Sequence, residues 1–209
     1  MANAACRVPK SFDGLAQAAR LGGGRDLGQY LVCLHPRARR EVRTQMGRNL
    51  HGRLVCAGKK RGPDVGKTKR GKGTKLMVLA SQEGLPVGVT VHSASPHEST
   101  LAQESFEHSL APSYKIERLI ADKAYDSDAL RRYFDLRGIE LVCPHRSNRK
   151  RQKIQDGRSL RRYKKRWKVE RIFSWLQEYR RCLVRWEWYP HLYRAFVVIA
   201  FIMMLVKRF

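Results

Sequence analysis

Three apolar runs, Leu54 to Ala57, Leu76 to Ala80 and Val87 to His92, precede the first segment able to start a capped helix. From there strands and helices alternate to the C terminus. This order is the tightest constraint on the fold. The third run alternates apolar with other residues, as a paired strand does, and Gln82-Glu83-Gly84 before it is a turn signal. The pattern predicts a meander of three strands, the first two joined by a loop over 58–75.

Ser95-Pro96-His97-Glu98 reads as a capping box: Ser at the N-cap, Pro at the first helical position and Glu three residues after the Ser. A helix over about 96–110 would bury Ala102, Phe106 and Leu110. Arg118 to Ala121 reads as a strand ending at Asp122. Ser127 to Arg137 reads as a helix stopped by Gly138, and Ile139 to Cys143 as a strand stopped by Pro144. Parallel pairing of these strands through the helix makes a right-handed crossover.

After a basic loop from His145 to Gly157, a long helix over about 159–181 carries Val169, Ile172, Phe173, Leu176 and Tyr179 on one face. A last helix over about 190–207 is apolar nearly all round and is expected to be deeply buried. The order of elements matches a ribonuclease H-like α/β fold, a mixed sheet flanked by helices. Residues 1–48, with Pro9, Pro36 and Gly22-Gly23-Gly24, show no sustained periodicity. The domain is therefore placed at 49–209, behind a poorly defined N-terminal segment.

Charge narrows the class of partner. The chain has 43 Lys+Arg against 18 Asp+Glu, a net charge of +25, which makes a polyanion the expected partner. The stretch "GPDVGKTKRGKGTK" at 62–75 looks like a phosphate loop for a nucleotide. However, three residues separate Gly62 from Gly66 where a P-loop needs four, and Lys69 to Gly73 is a poor helix start. It reads instead as a basic finger, with Lys67, Lys69, Arg70, Lys72 and Lys75 on a DNA backbone. The five cysteines show no C-x-x-C spacing, which fits free thiols in a reducing cytosol and argues against structural zinc. The longest apolar run, Ala195 to Val206, is too short to span a bilayer.

Two acids stand out. Asp122 sits at the carboxyl end of a strand, where an α/β sheet opens its ligand crevice, and Asp126 or Ser127 is better placed to cap the next helix. Glu170 is the only acid between Asp156 and Glu178, and eleven of the twenty residues from Arg149 to Lys168 are Lys or Arg. A lone carboxylate there is either a surface partner of Arg166 or a metal ligand beside bound phosphate. Mg²⁺ suits such a site because it keeps waters and needs few carboxylates.

The stretches "VGKTKRGKGTK", "SASPHESTLA", "LIADKAYDS" and "RRYKKRWKVERIFSWLQEYRR" resemble the catalytic domain of bacterial insertion-sequence DDE transposases, most closely the group called IS-five. The likeness covers roughly residues 51–209. The family's last block runs Tyr, two residues, Arg, three residues, Glu, six residues, Lys. It falls here on Tyr163, Arg166 and Glu170, with Gln177 in the final place. The resemblance implies Asp122 as the second acid and Glu170 as the third, with Tyr163 and Arg166 placing the transferred phosphate or DNA end. It also implies Mg²⁺ or Mn²⁺ as cofactor, double-stranded DNA of transposon ends and target as partner, and a place in the bacterial cytoplasm with the nucleoid. Homodimerisation stays open, and no membrane is involved.

The matching place for the first acid is His51, which brings no negative charge, and the nearest acid, Asp64, lies in the loop. The function the resemblance implies is metal-dependent cleavage and strand transfer at element ends. The alternative is a catalytically impaired DNA-binding remnant. A basic RNA- or ribosome-associated protein would need only the charge and leaves the carboxylates unexplained. Further DNA contacts are expected from Arg149, Lys150, Arg151, Lys164, Lys165, Arg180 and Arg181. Trp167, Trp175, Trp186 and Trp188 fit either core packing or stacking on flipped bases.

Overall fold

The computed structural model describes residues 48–59, 61–69, 71–109, 116–147, 149 and 157–207. Its strands are β1 (Arg48–Gly58), β2 (Gly66–Thr68), β3 (Gly71–Ala80), β4 (Pro86–Ser93), β5 (Arg118–Ile120), β6 (Glu140–Val142) and β7 (Val184–Arg185). Its helices are α1 (Glu98–Ser109), α2 (Asp128–Asp135), α3 (Gly157–Leu160), α4 (Trp167–Gln177), α5 (Arg180–Leu183) and α6 (Pro190–Val206), with 3₁₀ turns at Lys123–Tyr125 and Arg161–Arg166.

The strands form one mixed sheet. β1, β3 and β4 pair antiparallel, while β5 and β6 continue parallel to β1. β2 pairs with the start of β3, and β7 with the end of β1. Alternation along β3 divides the core. Leu76, Val78 and Ala80 face α4 and α6, whereas Met77 and Leu79 face α1 and α2. All five are fully buried, at roughly 1.5–3 kcal/mol for each large side chain. Helices cover both faces, so the fold is the ribonuclease H-like arrangement.

Several expectations are corrected. β1 begins six residues before Leu54 and carries His51 inside the sheet, where residues 49–52 are buried on both faces. The loop over 58–75 is largely a hairpin of β2 and β3. The long helix over 159–181 is broken: six residues, Arg161–Arg166, wind as 3₁₀, and Tyr179 is extended between α4 and α5. Five of those six are Lys or Arg, and like charges a turn apart disfavour a regular α-helix. α6 is not deeply buried all round. Tyr193, Val197, Ala200, Phe201, Met204 and Leu205 face the core, while Leu192, Ile199, Met203 and Val206 are exposed, since the sheet covers only one face. α1 buries Ala102 and Phe106 as expected, and Leu110 lies outside the described residues.

Candidate active site

The parallel register of β1 and β5 pairs Leu50 with Ile120, so Asp122 emerges beside the level of His51 and Gly52. Gly52 is required by packing. A Cβ there would lie 2.2 Å from Val169 Cγ1, so the absence of a side chain lets α4 rest directly on β1. That contact brings Glu170, next to Val169, to the mouth of the sheet.

The 3₁₀ turn supplies the link between the two acids. With three residues per turn, Tyr163 and Arg166 stand on one side of it. Tyr163 donates its hydroxyl to Asp122 Oδ1 at 3.0 Å. Arg166 Nη1 contacts the same oxygen at 2.8 Å, while its Nη2 donates to Glu170 Oε1 at 3.1 Å. One guanidinium therefore spans both carboxylates, and all four residues read from the sequence meet. Burial works to raise the Asp122 carboxyl, but hydrogen bonds from Arg166, the Lys123 N–H and Tyr163 outweigh it and hold the group below the usual carboxylate range.

Asp122 does have a capping role, contrary to the expectation from sequence. Its Oδ1 accepts the Lys123 N–H at 2.7 Å and caps the 3₁₀ turn. Ser127 makes no side-chain cap bond. Asp126 is instead a buried anchor that accepts from His145, Arg131, Arg149 and the Arg146 N–H. Burial opposes its ionisation, yet these donors bring its pKa down to about 2.

His51 is 2% exposed and lies on the α1 side of the sheet. Its Nε2 is 3.3 Å from Ser105 Oγ, and the chain of hydrogen bonds continues through Thr90 to His92. Its ring meets Tyr125 edge-on at 5.1 Å, and its Nδ1 has no hydrogen-bond partner among the described residues. Burial, with a smaller push from His92, lowers its pKa to about 4, so the imidazole is neutral at pH 7. It adds no charge to the Asp122–Glu170 pair.

Other expected contacts separate clearly. Lys67, Lys69, Lys72, Lys164, Lys165, Arg180 and Arg181 are exposed. Lys75 is a correction: it is 2% exposed and paired with Glu98 at 2.9 Å, because alternation along β3 turns it inward. Arg149 is another: its side chain is 8% exposed and held by Asp126 and Asp128. Arg70, Lys150 and Arg151 lie outside the described residues. Glu98 does not close a capping box, since its carboxylate binds Lys75 and Arg53, while His97 Nδ1 accepts the Ser99 N–H. Neither Glu98 nor Asp126 was assigned these roles from sequence. The available signal was scarcity, because few acids serve many cations in this chain.

Residues 37–205 match the family described as transposase DDE domain. The chain belongs to that family. A relative from Burkholderia cepacia, named "Putative transposase for insertion sequence element IS402", is 29% identical over 199 residues, covering 88% of this chain and 89% of the relative. That share exceeds what residues 49–209 supply, so the alignment reaches into the N-terminal segment. Among solved structures, a piggyBac transposase synaptic complex with hairpin DNA matches with a TM-score of 0.53 at 10% identity. The match covers 75% of this chain and 46% of that one, so the chain spans under half of that protein and the likeness shows the fold alone.

Proteins of the DDE transposase family use divalent metal ions. Among the described residues, no three His, Cys, Asp or Glu side chains converge as a metal cluster. Carboxylate oxygens are the donor type a hard cation takes, and Asp122 and Glu170 offer two such groups, both paired with Arg166. They do not make a three-acid set, because His51 is neutral and bonded away toward Ser105. No described helix is long and apolar enough to cross a membrane.

Proposed function

We propose that this transposase-family chain binds duplex DNA through its basic finger and cleaves and joins phosphodiesters at the Asp122–Glu170 pair. Residues 49–209 form the catalytic unit, and it acts on insertion-sequence ends and target DNA at the bacterial nucleoid. The observation that carries this reading is the Arg166 guanidinium spanning both carboxylates. Asp122 and Glu170 would hold Mg²⁺ or Mn²⁺, whose chemistry is to polarise the scissile phosphate and ease loss of the attacking hydroxyl's proton.

The chain's own residues do the rest. Tyr163 fixes the Asp122 carboxylate from one side. Arg166 puts a permanent positive charge where a phosphate oxygen gains negative charge. Lys164 and Lys165 project from the same 3₁₀ turn into solvent, suited to the flanking backbone. In the finger, Lys67 and Lys72 are direct cross-strand partners. Like charges placed so destabilise a hairpin, and a phosphate between them relieves the repulsion.

The test is Mg²⁺- or Mn²⁺-dependent nicking of a labelled element end. The parent should cleave, Asp122→Asn should lose at least about a hundredfold in rate, and His51→Asp should cleave faster than the parent. Cleavage by Asp122→Asn at the parent rate would overturn the assignment.

A further inference from the structure

The segment after α5 is built inside out. Val184 and Arg185 form the short strand β7, and burial alternates along the residues that follow it. The inward pair is charged. Arg185 is 1% exposed, and the Glu187 side chain is 8% exposed and paired with Arg181 at 3.3 Å. The outward pair is Trp186 and Trp188, each about half exposed at 47% and 51%. Ordinary burial would turn the indoles in and the charges out.

Arg185 explains how the inversion is held. All five of its N–H donors are engaged by neutral oxygens: the carbonyls of Pro63, Asp64, Glu187 and Trp188, and the Thr74 hydroxyl. Lys59 N–H donates to the Arg185 carbonyl. Gly62 lies so close that a Cβ would sit 2.7 Å from the Trp188 carbonyl oxygen. The root of the basic finger and the two tryptophans are therefore one rigid unit. Around this root Lys59, Arg61, Lys67, Lys69 and Lys72 are exposed.

A partner for this surface must offer negative charge and flat apolar faces together. Nucleic acid with unpaired bases does so. An intact duplex does not, because its base faces are stacked within it. The position also fits. β1 passes the level of Asp122 at Gly52 and reaches Gly58, which pairs with Arg185, six residues on. At ~3.3 Å per residue that is about 20 Å, roughly six nucleotides of a strand at ~3.4 Å each.

We infer that Trp186 and Trp188 stack on unpaired bases about six nucleotides from the phosphate held at Asp122, so that the protein prefers opened DNA to intact duplex. The inference rests on the proposed DNA-cleaving reading but is tested apart from it, by binding without metal. Fluorescence anisotropy in EDTA would compare an intact duplex with the same duplex carrying a three-nucleotide bubble.

The parent should bind the bubble about tenfold or more tighter. Trp186→Ala/Trp188→Ala should lose that preference while binding intact duplex as the parent does. Trp186→Phe/Trp188→Phe, which keeps aromatic faces, should retain it. A parent without preference, or an alanine variant that keeps it, would overturn the inference and leave the cleavage reading standing. So would an equal loss on both DNAs. A change in mass by light scattering of the DNA-free alanine variant would show that a second copy covers the tryptophans, which would also overturn it. Failure of the parent to bind any DNA would sink both readings.

Discussion

At the scale of single residues, position 51 carries a direct consequence for pH. A buried imidazole whose folded pKa is about 4, against 6.5 unfolded, favours the neutral form. Its contribution to stability is complete above about pH 6.5 and is lost as pH falls toward 4, amounting to about 3 kcal/mol. Urea midpoints from pH 7 to pH 4 should therefore drop more for the parent than for His51→Asn, and parallel curves would contradict the assignment. Gly52→Ala should cost about 1–3 kcal/mol through overpacking against Val169, read as a lowered midpoint at unchanged m-value. That Asp122, Tyr163, Arg166 and Glu170 belong together was an expectation from the family resemblance and from Asp122's place at a strand end, and the structure adds the contacts among them. The inward turns of Lys75 and Arg149 were not, because charge alone does not say which face of a strand or loop holds an acid partner.

At the scale of elements, strand and helix order was legible from apolar runs and turn residues, while the helix break at 161–166 was not. The charge run there disfavours a regular helix, but the contacts of Tyr163 and Arg166 with Asp122, distant in sequence, accompany the break and do not show in the local sequence. The finger gives a prediction with two signs. Lys72→Glu places an acid opposite Lys67 and should stabilise the hairpin by about 0.2–1 kcal/mol. It should also weaken duplex binding and lower the slope of log K against log salt by about 1. Weaker binding with an unchanged slope would mean that Lys72 does not meet phosphate. Arg185→Leu strands several buried carbonyls and should cost about 3 kcal/mol or more, seen as faster proteolysis near residues 62–64. Parental resistance there would show that the finger is rooted elsewhere.

For the whole molecule, a sheet padded by helices on both faces brings two acids, far apart in sequence, to the Arg166 guanidinium. The net charge of +25 announces a polyanion, and only the fold shows Asp122 and Glu170 meeting at one arginine. If the pair acts as one site, its members cannot be removed independently. The decisive measurement is a double-substitution cycle on the Mn²⁺-dependent cleavage rate, with metal-free DNA affinity as control. Asp122→Asn, Glu170→Gln and the double variant should each lose nearly the same factor, with affinity unchanged. Additive losses, a Glu170→Gln variant cleaving near the parent rate, or a parent that never cleaves would contradict the account.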